Sequence, residues 1–88
     1  NTSCSIDHEC LIEDFAHIAP GAVLGGNVRI GAGTFVGANA VIKQGVSVGR
    51  NVMIGAGTVV IKDVPNNTTV VGNPQRILQK EEQRKLAA

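Results

Sequence analysis

Residues 30–60 read "IGAGTFVGANAVIKQGVSVGRNVMIGAGTVV", and every sixth position of this stretch is aliphatic. The repeat extends towards the N-terminus without interruption. Its ten aliphatic members are Ile6, Ile12, Ile18, Leu24, Ile30, Val36, Ile42, Val48, Ile54 and Val60. An amphipathic helix would instead place apolar residues three and four positions apart. The period of six therefore predicts short strands that are separated by regular bends.

Two further columns follow the same period. Four residues after each aliphatic position comes a small or β-branched residue, in a column that runs from Cys10 to Val64. Three residues after it, glycine and asparagine alternate from Gly21 to Gly57. These two residue types adopt positive φ most easily. We therefore expect a bend at every sixth residue and a chain that winds round a prism.

With three strands in each turn of the prism, residues 18 apart stack at the usual strand spacing of about 4.8 Å. The aliphatic residues then form three internal ladders. The ladders are Ile6–Leu24–Ile42–Val60, Ile12–Ile30–Val48 and Ile18–Val36–Ile54. A flat sheet of hairpins would show alternation by two and irregular turn spacing, so we set it aside.

The repeat is expected to stop after Val64–Pro65, where turn residues follow. The segment "PQRILQKEEQRKLAA" consists of strong helix formers with Pro74 at its start. We predict an all-β domain over residues 1–74 and a short C-terminal α-helix over 75–88. Residues 85–88 resemble a cloning-vector remnant. The chain enters its first repeat almost directly, so we expect further sequence upstream.

Composition narrows the function classes. The net charge of +1 gives no basic field of the kind that binds nucleic acid. No apolar run is long enough to span a membrane and no signal peptide opens the chain. The two cysteines, Cys4 and Cys10, do not have the spacing of a metal site. Nothing in the sequence indicates an oxidising compartment. We expect a cytoplasmic protein without a metal.

Both histidines lie in "SIDHECLIEDFAH", residues 5–17, together with four of the seven acidic residues. His8 and His17 are nine residues apart on an 18-residue turn, so they belong to different faces of one prism. If the prisms trimerise, the two histidines could approach each other across the interface, or each could line a shared cleft. Glu13 and Asp14 are expected to be solvated turn residues.

Hexads such as "IGAGTF", "VGANAV" and "IGAGTV" resemble those of the hexapeptide-repeat acyltransferases. The resemblance covers about residues 4–78. It implies a left-handed parallel β-helix of triangular section. The period of six fixes neither the number of faces nor the hand, so both come from the family resemblance; left-handed crossovers are rare in general.

"SIDHECLIEDFAHIAPGA" followed by "GNVRIG" resembles one branch of that family, the sialic acid O-acyltransferases and the bacterial UDP-amino-sugar N-acetyltransferases. The resemblance implies an acetyl-CoA-dependent sugar acetyltransferase. His8 would be the general base, Glu9 would tune it and His17 would lie near the acyl group. It also implies a homotrimer with active sites between subunits. "VVGNPQRI" resembles the family's closing motif, with Gln75 where alanine is usual.

Four residues are candidates for contacts with the coenzyme. Gly37 and Gly55 would keep the prism surface low for a pantetheine arm, although a role in the bends explains them equally well. Lys62 and Arg76 would bind coenzyme phosphates, although an ordinary solvated charge accounts for either.

Two alternatives share the same prism. A zinc-dependent carbonic anhydrase needs three histidines for each metal ion, and the columns of His8 and His17 are unsuitable for pooling them between subunits. A trimerising module without turnover is the more serious alternative, because the family's sugar-binding domain is not among these 88 residues.

Overall fold

The computed structural model describes the backbone of residues 5 and 6 and the whole of residues 9–78. These residues form twelve short strands. The strands are β1 (Ser5–Ile6), β2 (Leu11–Ile12), β3 (His17–Ile18), β4 (Val23–Leu24), β5 (Arg29–Ile30), β6 (Phe35–Val36), β7 (Val41–Ile42), β8 (Ser47–Val48), β9 (Met53–Ile54), β10 (Val59–Val60), β11 (Thr69–Val71) and β12 (Arg76–Ile77). Apart from β12, each pairs in parallel with a strand one coil away.

The strands make three sheets, which are the faces of a prism. The first face has the order β1-β4-β7-β10, the second β2-β5-β8 and the third β12-β11-β9-β6-β3. Ile12 pairs with Ile30, and Leu24 with Ile42, each 18 residues further along the chain. The register confirms all three predicted ladders and the parallel β-helix of triangular section. Its left hand stays a prediction of the family resemblance.

Left-handed residues form the corners, as the alternation of glycine and asparagine predicted. Every sixth residue from position 9 to position 57 has positive φ. From Gly21 onward these residues are glycine or asparagine, with φ between 53° and 80°. The two earlier members are Glu9 and Phe15. The sequence pattern did not include these two, because neither residue type favours the left-handed region.

A second set of glycines is required by the close approach of one coil to the next. A Cβ at Gly31 would lie 2.5 Å from the backbone carbon and oxygen of Gly49. A Cβ at Gly37 would lie 2.7 Å from the backbone nitrogen of Ala56. No side chain fits at such distances, so these positions need glycine whatever else they do.

The prism is filled by the aliphatic ladders and by the second column. Of the second column, Ala22, Val28 and Ala40 are fully buried with the ladder residues. Thr34 and Thr58 are also fully buried, and their hydroxyls donate to the carbonyls of Gly49 and Gly55 at 2.6 and 2.7 Å. The described interior therefore contains no unsatisfied side-chain donor or acceptor.

The coil continues past Val64, which corrects the expected stop. Val64 pairs with Val48, and Val70 on β11 pairs with Ile54. Each pair is 16 residues apart rather than 18. The last coil is thus two residues shorter, and Val64 and Val70 keep the interval of six.

The helix predicted from residue 75 does not begin there. Arg76 and Ile77 form β12, which runs antiparallel to β11 and pairs Val71 with Arg76. The segment therefore gains sheet hydrogen bonds that outweigh its helix propensity. The described residues contain no helix. Residues 79–88, which carry the rest of the predicted helix, lie outside the described residues.

Candidate functional site

Glu9, the neighbour of the predicted base in the sequence, forms the first described corner of the coil. His8 lies outside the described residues. Glu9 is exposed at this corner and has a φ of 64°. The same corner is formed by Asn27 and Gly45 in the next two coils. A glutamate held in a sparsely populated backbone region is the kind of outlier that accompanies functional sites.

Phe15 forms the next corner, and the sequence analysis did not predict a corner at this residue. Its φ is 61° and its side chain is 93% exposed. Gly33 and Asn51 occupy the same corner in the next two coils. Phe15 lies six residues before Gly21, so the six-residue spacing of the corner positions could have located this corner from the sequence.

His17 projects from β3 on the third face and is exposed. Its ring stacks on Phe35, with the ring centroids 5.2 Å apart and the ring planes 3° apart. Met53, 47% exposed, is the next residue of the same outward column. The face beside His17 is therefore aromatic and apolar.

Gly37 and Gly55 follow β6 and β9 on the third face. Their N–H groups donate to the carbonyls of Ile54 and Val70, at 2.8 and 3.0 Å. These donors are committed to the coil, so the N–H groups of the two glycines are not available to a ligand. Their role in coenzyme binding stays a prediction.

Arg76 lies on β12, at the far end of the same face from His17. Four strand spacings separate β3 from β12, which amounts to about 19 Å. The third face thus carries four of the seven residues assigned to the site: His17, Gly37, Gly55 and Arg76.

Lys62 lies in the bend that follows the first face, and Gln75 fixes the backbone of this bend. The Gln75 side-chain oxygen accepts from the N–H groups of Ile61 and Lys62, and its amide donates to the Lys62 carbonyl at 2.9 Å. Alanine, the residue usual here in the resembling family, cannot make these contacts. Gln75 therefore ties β12 to the bend that carries Lys62.

Glu13 is not a solvated turn residue, contrary to expectation. Its carboxylate accepts from the Arg29 guanidinium at 2.8 Å and from the Ala32 N–H at 3.1 Å. The hydrogen bond from Arg29 is the main reason that the pKa of Glu13 lies below its usual range. This pair lines a groove of about 540 Å³ on the second face. Of the predicted site residues that the structure describes, none lines this groove.

Within residues 5–6 and 9–78, no three histidine, cysteine, aspartate or glutamate side chains come together to hold a metal ion. The same residues include no helix with the length and apolar character needed to cross a bilayer.

Two family models match the chain. The one described as hexapeptide repeat of succinyl-transferase matches residues 27–62, and the one described as bacterial transferase hexapeptide (six repeats) matches residues 3–37. Together they extend from residue 3 to residue 62, through most of the described coils.

Three solved structures are similar to the chain. The acetyltransferase domain of PglB from Neisseria gonorrhoeae, in complex with acetyl coenzyme A, is 46% identical over 89% of this chain, with a TM-score of 0.87. WeeI from Acinetobacter baumannii is 41% identical over 85%, with a TM-score of 0.81. A mutant of perosamine N-acetyltransferase from Caulobacter crescentus, in complex with CoA and GDP-perosamine, is 32% identical over 91%, with a TM-score of 0.89. The chain spans 38% of the length of each.

Proposed function

The chain belongs to the bacterial hexapeptide-repeat transferase family, and from that premise we propose that it transfers an acetyl group from acetyl-CoA to an amine or hydroxyl of a sugar. The observation that carries the proposal is the 46% identity, over 89% of the chain, to an acetyltransferase domain solved with acetyl-CoA. The perosamine enzyme, solved with CoA and a nucleotide sugar, supports a nucleotide-linked sugar as the acceptor.

In the proposed reaction, the acceptor nitrogen or oxygen attacks the thioester carbonyl carbon of acetyl-CoA. A C–N or C–O bond forms, the C–S bond breaks, and the thiolate of CoA leaves. His8 takes the proton from the attacking atom and passes it to the leaving sulfur. An imidazole that titrates near neutral pH is well matched to this task, which is typically worth 10²–10⁴-fold in rate.

Glu9 follows the base directly, on a corner that the coil holds in the left-handed region. A carboxylate beside an imidazole fixes its tautomer and stabilises the imidazolium that forms during transfer. His17 is placed near the acetyl group in this proposal.

The third face is proposed as the coenzyme surface. Gly37 and Gly55 leave room for the pantetheine arm close to the backbone. Lys62 and Arg76 are proposed as the partners of the coenzyme phosphates, with Gln75 holding the bend of Lys62 in place. The active sites are proposed to lie between the subunits of a homotrimer, where a corner of one prism meets a face of the next.

Replacing the proposed base tests the mechanism. We expect His8→Ala to abolish acetyl transfer to amino-sugar and nucleotide-sugar acceptors, as measured by release of free thiol, because no other group takes the acceptor's proton. Its sedimentation and its acetyl-CoA affinity by calorimetry should match the wild type. Unchanged turnover would remove His8 from the mechanism.

A second candidate follows from the coverage of the relatives, since the chain spans about two fifths of the structures that it matches. It would be an assembly module that trimerises and binds acetyl-CoA without transferring the acetyl group. Coenzyme titration together with the same thiol-release assay separates the two. Saturable binding without acceptor-dependent thiol release would favour the module.

A further inference from the structure

The outward column of the third face contains one ring stack, whose role the proposed reaction leaves open. His17 and Phe35 are register partners on β3 and β6. Their ring centroids are 5.2 Å apart and their planes are nearly parallel, at 3°. This separation is close to the strand spacing of about 4.8 Å. Both rings therefore leave the sheet in the same direction, one coil above the other.

The stack restrains a side chain that is otherwise exposed. Within residues 9–78 the imidazole of His17 makes no hydrogen bond, and its ring stacks on the face of Phe35. Backbone hydrogen bonds hold the strand itself, including that from the His17 N–H to the Thr34 carbonyl at 2.9 Å. Rotation of the imidazole about its side-chain bonds would break the parallel contact, so Phe35 limits that rotation.

We propose that Phe35 is a positioning residue for His17. Its ring keeps the imidazole plane parallel to its own and thereby limits the directions in which the two ring nitrogens can point. This inference rests on the proposed function, in which His17 lies near the acetyl group. Phe35 acts through His17 and does not itself touch the reacting atoms.

A positioning role has a specific kinetic signature. Loss of the stack leaves the imidazole present but populating several orientations, of which few place a nitrogen at the acetyl group. Misplacement of a reacting group by a fraction of an ångström or more lowers the rate of the chemical step. The Phe35→Leu variant should therefore lower kcat on the order of tenfold with little change in the KM for acetyl-CoA.

Two variants test the proposal in the full natural chain. Phe35→Leu removes the ring and Phe35→Tyr keeps it. We expect Phe35→Tyr to stay within about twofold of the wild-type kcat. The His17 ring protons, followed by NMR, should lie upfield from the ring current of Phe35. They should lose this shift in Phe35→Leu and keep it in Phe35→Tyr.

The outcomes separate this inference from the proposed function. A wild-type protein without acceptor-dependent thiol release contradicts the proposed function and this inference with it. An active wild type together with a Phe35→Leu variant of equal kcat overturns the positioning role alone. So does a ring-proton shift that persists in Phe35→Leu. If His17→Asn keeps full activity while His8→Ala loses it, the role of His17 fails, and the proposed base is unaffected.

Discussion

The corners of the first coil differ from the corners of the coils above it, although all of them have the same backbone conformation. From Gly21 to Gly57 the left-handed position is filled by glycine or asparagine, the residues that adopt it at least cost. In the first coil it is filled by Glu9 and Phe15, with φ values of 64° and 61°. The residue types at the later corners are thus explained by the backbone conformation alone. The residue types at the first two corners are not.

Strain of this kind costs of order 1–3 kcal/mol for each residue and persists where the surrounding structure imposes it. Glu9 and Phe15 lie between His8 and His17, the two histidines that the family resemblance assigns to the site. We infer that the upper coils provide the stability that the first coil gives up at Glu9 and Phe15. Variants that exchange residue types between equivalent corners test this interpretation.

The largest expected effect is on activity at the first corner. Glu9→Asn copies Asn27, which forms the same corner one coil higher. We expect acetyl transfer to fall at least about 100-fold, because the proposed base loses its carboxylate. The free energy of unfolding should rise by about 1 kcal/mol, since asparagine tolerates positive φ. Rates come from thiol release and stability from urea unfolding.

Glu9→Gln serves as the matched control for this exchange. It removes the charge and keeps both the side-chain length and the backbone strain. Transfer should fall as in Glu9→Asn, but stability should stay at the wild-type value. A fully active Glu9→Asn protein would show that the carboxylate has no part in the reaction.

In the upper coils the expected effect is on stability. A Cβ at Gly31 would meet the Gly49 backbone at 2.5 Å, whereas one at Gly45 would meet no atom within 4 Å. Gly31→Ala should therefore destabilise the fold by about 3 kcal/mol, at the upper end of typical overpacking costs. Gly45→Asn, at a left-handed corner in open space, should change the free energy of unfolding by less than about 0.5 kcal/mol. Equal losses in the two variants would contradict the close approach of the coils.

Sequence reasoning accounted for the regular part of this fold because one physical requirement repeats in every hexad. Each strand buries one aliphatic residue, so the period of six followed from spacing alone. The three faces, which stack Ile12, Ile30 and Val48 on one another, came from the family resemblance. The last coil is two residues shorter than the others, and the sequence analysis did not predict this shortening. Val64 and Val70 continue the six-residue repeat, but each lies two residues before the position that the earlier repeats predict.

The end of the chain and the site were harder to predict. The helix propensity of "QRIL" was overridden by pairing with β11, which depends on a contact distant from that segment. For the site, the motif located His17, but spacing carries no information about the ring orientation of Phe35. Glu13 was assigned to solvent because its partner, Arg29, lies 16 residues away on the next coil.

A smaller effect is expected at the second corner. Phe15→Asn copies Asn51, two coils above at the same corner. It removes a strained backbone residue whose side chain is 93% exposed and so contributes little packing within one chain. We expect a gain of about 1 kcal/mol in the free energy of unfolding. Phe15→Ala, which loses the ring but keeps most of the strain, should gain much less. A loss of stability in Phe15→Asn would mean that the ring packs against another part of the assembly.

The smallest effect separates the two glutamates of the first coil. Glu13 binds Arg29 and the Ala32 N–H, and this partnership lowers its pKa. A lowered folded-state pKa means that its contribution to stability is present above the ordinary carboxyl pKa and is lost as pH falls through the folded value. Arg29→Gln should move the NMR titration midpoint of Glu13 upward, and high salt should do so partly, because exposed charge pairs are screened. Acetyl transfer near neutral pH should be unchanged in Arg29→Gln. An equal loss of transfer in Arg29→Gln and Glu9→Gln would contradict the division of the first coil into a structural and a catalytic carboxylate.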